Sequence, residues 1–118
     1  MLTIDALKTR GSKVEEGLAR CMNNESFYLR LTEMALKDGN IEGLRAALDQ
    51  NDAKAAFEAA HALKGALGNL SLTPLFEPAS ALTELLRGAA PGDPVPAEAS
   101  PLADAFFTAL ADHRALLD

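Results

Sequence analysis

A chain of 118 residues, 48% of them apolar and 24% charged, is one domain able to bury a hydrophobic core without metals or staples. That length excludes enzymes that place a site between two lobes. A formal net charge of −6 leaves no basic field to neutralise phosphates, so nucleic acid is not expected as a partner and anionic membranes are disfavoured. The single cysteine, Cys21, excludes an internal disulfide framework and a multi-cysteine zinc site, suits a reducing compartment, and is expected to be a core thiol. Ala and Leu supply most of the apolar content while Val and Ile are scarce, which points to an all-α fold. The first residues, Met1 to Asp5, form no apolar h-region and no run of 18 apolar residues follows, so a cytoplasmic location is expected.

In chain order, residues 3 to 22 read as one or two short helical pieces broken near Gly11 and Ser12 and weakened at Gly17. They are expected to cap a larger bundle. A stronger helix starts at Asn24 or Glu25, with Phe27, Leu31, Met34 and Ala35 on one stripe, and Asp38-Gly39-Asn40 ends or kinks it. Leu44, Ala47 and Leu48 mark a second short amphipathic stretch up to Gln50, stacking onto the first as one bent arm. Asp52 is placed to N-cap the next helix, which runs through His61 to about Gly68 or Leu70.

Thr73 and Pro74 read as an N-cap and first-turn pair for a helix ending at Arg87 before Gly88. Pro78 predicts either a kink in that helix or a start nearer Glu77. Residues 89 to 99 form the one linker. Ser100 and Pro101 then open the last helix, with Leu102, Phe106, Ala109, Leu110 and His113 on or near one face, running to the chain terminus. Four helical arms joined by short connections predict an up-down four-helix bundle with a short helical N-terminal cap, all of residues 1–118 forming a single domain.

The informative segment is Ala59 to Leu70. At about 100° per residue, Ala56, Ala60, Leu63, Leu67 and Leu70 fall in one core-facing sector and His61 lies well away from it. Phe57, Lys64, Gly65 and Gly68 stand at −4, +3, +4 and +7 from His61, one continuous stripe. Each glycine costs a helix about 1 kcal/mol relative to Ala. Gly68 has an ordinary explanation as a C-cap, whereas Gly65 lies too early for one. A bare +4 position admits something bulky beside the imidazole, and an ammonium at +3 neutralises an anion arriving at the ring. These features fit a nucleophilic histidine that accepts a phosphoryl group. His113 has no comparable neighbourhood and is read as an ordinary solvated histidine, and the scattered carboxylates as a solvated surface.

His61-Ala62-Leu63-Lys64-Gly65, then Gly68-Asn69-Leu70 and Leu72-Thr73-Pro74-Leu75, resembles the signature of the histidine-containing phosphotransfer domain of bacterial multistep phosphorelays. Gly17 to Cys21 and Phe27 to Leu31 resemble free-standing members of that family, so the likeness spans roughly residues 4 to 88. Ser71 departs from it where the family commonly has Gly, and Leu67 where it often has a small residue.

The resemblance implies a carrier whose exposed histidine takes a phosphoryl group from a phospho-aspartate on one receiver domain and passes it to another. His61 would be the phosphoryl acceptor, Lys64 the stabilising charge and Gly65 the residue that clears the receiver's approach, with Phe57 and Gly68 on the docking face. The partners implied are response-regulator receiver domains and a hybrid sensor histidine kinase. No Gly-rich phosphate loop or acidic Mg²⁺ cluster is present in the sequence, so no cofactor is expected here, the Mg²⁺ belonging to the receiver, and no independent enzyme activity. The rival readings are a structural or adaptor bundle, such as a degenerate member that binds receivers without carrying phosphate, and a metal-binding bundle. Retention of His61, Lys64 and Gly65 together counts against the first; two histidines without a Glu-x-x-His pair count against the second.

Overall fold

A computed structural model describes residues 1–117, and among these the chain is all-helical, with no strand. Seven α-helices follow one another: α1 (Ile4–Thr9), α2 (Val14–Arg20), α3 (Glu25–Leu36), α4 (Gly39–Asp49), α5 (Ala53–Asn69), α6 (Thr73–Leu86) and α7 (Ala99–Arg114). A 3-10 turn, Ala115–Leu117, follows α7, and the expectation that the last helix reaches Asp118 falls outside the described residues.

Short polar side chains start four of these helices. Thr3, Asn24, Asp38 and Asp52 each accept a hydrogen bond from a first-turn amide, the last from Ala55 N at 3.1 Å. The helices α4 and α5 end alike. Asn51 and Ser71 sit at φ +58° and +53°, and the next residue bonds back across the turn, Asp52 N to Ala47 O at 2.9 Å and Leu72 N to Leu67 O at 3.0 Å. Ser71 therefore occupies a left-handed position that glycine fills at least cost, which explains why a glycine suits that place.

Several boundaries differ from expectation. Leu72, not Thr73, is the N-cap of α6, and no side chain caps it; Thr73 instead donates its hydroxyl to Ser71 O at 3.3 Å. The helix starts there rather than near Glu77 and crosses Pro78 without a break. An interior proline costs a helix about 3 kcal/mol. Burial of Leu75, Ala79, Leu82, Thr83 and Leu86 along one face outweighs it. The last helix begins at Ala99, with Pro101 in its first turn, and Glu98 as an N-cap that makes no side-chain bond.

The stripe expected on α3 is also displaced. Phe27 and Met34 are exposed, Leu31 is half-buried, and the buried residues are Tyr28, Thr32, Ala35 and Leu36. His113, read as solvated, is buried at 1% exposure with Nδ1 2.7 Å from Ala109 O. Cys21 is a buried free thiol, as expected.

Helix α5 packs between α4 and α6, and α6 packs on α7. The break expected at Asp38-Gly39-Asn40 falls between α3 and α4, with Asp38 as the N-cap of α4; α4 lies on α5 while α3 meets α2 and α7. The N-terminal helices seal the C-terminal end of α5. Arg20 reaches Gly68 O, Asn69 O and Ser71 Oγ at 3.3, 3.0 and 2.8 Å, and Tyr28 donates its hydroxyl to Leu70 O at 2.7 Å. These donors meet carbonyls that the helix cannot satisfy internally, and the Arg20 cation suits the negative end of the helix dipole. Burial pushes the Tyr28 hydroxyl up to about 12, so it stays protonated and donating.

Candidate functional site

The core sector of α5 lies where the spacing put it. Ala56, Ala60, Leu63, Leu67 and Leu70 are all buried, and His61 is exposed on the far side. Phe57 and Lys64 are half-buried and Gly65 is exposed, so one solvent-facing strip of α5 carries the imidazole, its aromatic neighbour, the ammonium and the gap.

The Phe57 ring stacks on the His61 ring, with centroids 5.6 Å apart and planes 10° from parallel. This contact fills one flank of the imidazole and restricts its rotation. On the C-terminal side a Cβ built at Gly65 meets nothing within 4 Å. No steric demand of the fold explains a glycine there, and the position leaves open space on the strip that carries His61. Gly65→Ala is therefore expected to stabilise the domain by up to about 1 kcal/mol and to keep transfer nearly intact. Gly65→Gln is expected to melt like the Ala variant while transfer falls steeply. Transfer rates measured beside thermal melts check this, and a fully active Gln variant overturns the access role.

Gly68 differs from Gly65. It lies inside α5, whose C-cap is Leu70, so it is not the C-cap itself. A Cβ there would stand 3.0 Å from Phe76 Cε1, and the glycine thus lets the α6 ring lie against α5. Packing is the role its contacts establish.

Glu84 of α6 and Arg87, its C-cap, which sequence reasoning did not single out, lie against this strip. Glu84 accepts from Arg87 through both carboxylate oxygens, Nε at 3.2 Å and the terminal nitrogen at 2.7 Å, and from Lys64 Nζ at 3.4 Å. The Arg87 guanidinium carbon in turn lies 5.6 Å from the Phe57 ring centroid. The Arg87 bonds first, with Lys64 adding, hold the Glu84 carboxyl down at about 2, so it is charged throughout the physiological range. The i, i+3 spacing of Glu84 and Arg87 was a visible signal for their pairing. Their placement beside His61 depends on how α6 packs against α5.

Among the described residues no three His, Cys, Asp or Glu side chains gather as metal ligands, and no helix is long and apolar enough to cross a membrane. An exposed imidazole with a cation beside it and an open flank is an arrangement for nucleophilic group transfer at the surface of a partner. The Hpt domain family matches residues 33–116, well over half of the chain and all of α4 to α7. The chain belongs to the Hpt domain family. Neither the curated proteins nor the solved structures contain a match. As an Hpt domain it is a phosphocarrier module rather than a classical enzyme, of the kind that works with receiver domains in phosphorelays by histidine phosphotransfer. Helices α1 and α2 and most of α3 lie outside the matched region, although they supply the Arg20 and Tyr28 bonds that close the end of α5.

Proposed function

We propose that His61 is the phosphoryl acceptor of this Hpt domain and relays the group between aspartates of receiver domains. The observation that carries the reading is the exposed imidazole opposite the core face, with open space at Gly65. A ring nitrogen of neutral His61 attacks phosphorus in the partner's aspartyl phosphate. The N–P bond forms, the P–O bond to the acyl oxygen breaks, the aspartate leaves as a carboxylate, and the proton on the other ring nitrogen departs to water. Lys64 offsets the incoming negative charge, and Phe57 holds the ring in place. The receiver brings its own Mg²⁺, and this domain contributes no cofactor.

The same reading extends to the setting. A hybrid sensor histidine kinase is the proposed source of the phosphoryl group, the cytoplasm the proposed location, and residues 1–118 one functional unit. The serial packing of α4, α5, α6 and α7, with α3 meeting α7, supports an up-down four-helix bundle in which α3 and α4 make one arm and the short helices α1 and α2 the N-terminal cap.

The test charges a panel of receiver domains with acetyl phosphate and adds this protein. Phosphoryl uptake is expected, and the adduct should be labile in acid and stable in alkali, as a phosphoramidate is. No uptake from any receiver, or a label on serine or threonine, overturns the proposal.

A further inference from the structure

The Lys64 ammonium does not stand free beside His61: it is engaged across the helix interface with Glu84 of α6. That carboxylate is shared unequally. Arg87 grips it through two bonds, the shorter 2.7 Å, while Lys64 touches it through one at 3.4 Å. Two-pronged guanidinium–carboxylate pairs are the stronger and geometrically fixed ones, so the Lys64 leg is the one that yields when another anion competes. Arg87 is further held by its position over Phe57. The cluster of Lys64, Arg87 and Glu84 carries one net positive charge, one less than its cations alone.

Resting on the reading of His61 as acceptor, we propose that Glu84 is a positioning residue that parks Lys64 on α6 while His61 is bare and sets how much of that cation a phosphohistidine receives. When the phosphoryl group is transferred, N–P bond forming as the acyl P–O bond breaks, its oxygens compete with Glu84 for Lys64. The carboxylate, kept in place by Arg87, opposes full capture of the ammonium. Its presence weakens the phosphohistidine and favours onward transfer, which is what a carrier needs and a phosphate store does not. The half-exposed side chains place the effect in the screened regime of surface charges.

The experiment uses the receiver domain that best labels the wild type and measures the equilibrium partition of phosphoryl between that receiver and His61. Glu84→Gln is expected to shift the partition roughly fivefold toward the phosphohistidine at low salt and less at high salt. In a Lys64→Ala background the same substitution should produce no shift, since the lysine through which it acts is gone. A thermal melt of each variant confirms that the fold is kept, and a purely structural role for Glu84 would not give a salt-dependent partition that needs Lys64. An unchanged partition in Glu84→Gln, or a shift that persists without Lys64, overturns the positioning role while leaving His61 as acceptor. Absence of wild-type labelling instead removes the acceptor reading and this proposal with it.

Discussion

Replacing His61 with Gln is expected to abolish phosphoryl uptake from a charged receiver while the thermal melt moves by the equivalent of about 0.5 kcal/mol or less. The side chain is exposed, and its described packing contact is the stack on Phe57, whose loss is small at a solvated site. Gln is a slightly better helix former than His, which offsets part of that loss. Its amide has no nucleophilic nitrogen at neutral pH, so the chemistry ends even though shape and docking persist. His113 cannot substitute, being 1% exposed with one ring nitrogen against Ala109 O. Phosphoryl counted by intact mass under alkaline conditions checks the result. A His61→Gln protein that still takes up label places the acceptor elsewhere and ends the proposal.

The face of α5 was legible because its two halves differ in kind: Ala and Leu at core spacing on one side, a histidine, a lysine and two glycines on the other. Periodicity needs no tertiary knowledge where the contrast is that sharp. It misled on α3, where Phe27 and Met34 are the more apolar residues and yet Tyr28 and Thr32 are buried. The reason is local chemistry. Thr32 Oγ1 bonds to Tyr28 O at 2.9 Å, Thr83 Oγ1 to Ala79 O at 2.8 Å and His113 Nδ1 lies 2.7 Å from Ala109 O. For Thr32 and Thr83 the carbonyl four residues back satisfies the hydroxyl and removes most of the cost of burying it; His113 pairs one ring nitrogen in this way and keeps Nε2 buried without a partner among the described residues. A hydrophobicity pattern counts such residues as surface and shifts the stripe. Glu84 and Arg87 were out of reach for a different reason, because no spacing within α6 tells which turn of α5 it meets.

The same limit applies to Gly17, which the sequence shows only as a weak point in a short helix. In the structure Gly17 is buried, and a Cβ on it would overlap the Leu70 carbonyl oxygen and come within 2.5 Å of Tyr28 Cε1. Helix propensity alone predicts that Gly17→Ala gains about 1 kcal/mol. Sterics win, because the nearest obstacle is backbone at the capped end of α5 and cannot rotate away. To admit the methyl group, α2 must lift from α5, straining the Tyr28 bond to Leu70 O and the Arg20 bonds beside it. The expected outcome is a loss of about 2 to 4 kcal/mol from overpacking together with a weakened buried hydrogen bond. Gly43 is the matched control: it lies in α4, is exposed, and a Cβ there meets nothing within 4 Å, so Gly43→Ala should raise stability by up to about 1 kcal/mol. Denaturant unfolding of the two variants beside the wild type measures both signs. If Gly17→Ala proves as stable as the wild type, the N-terminal helices do not clamp the end of α5 in the way these contacts require.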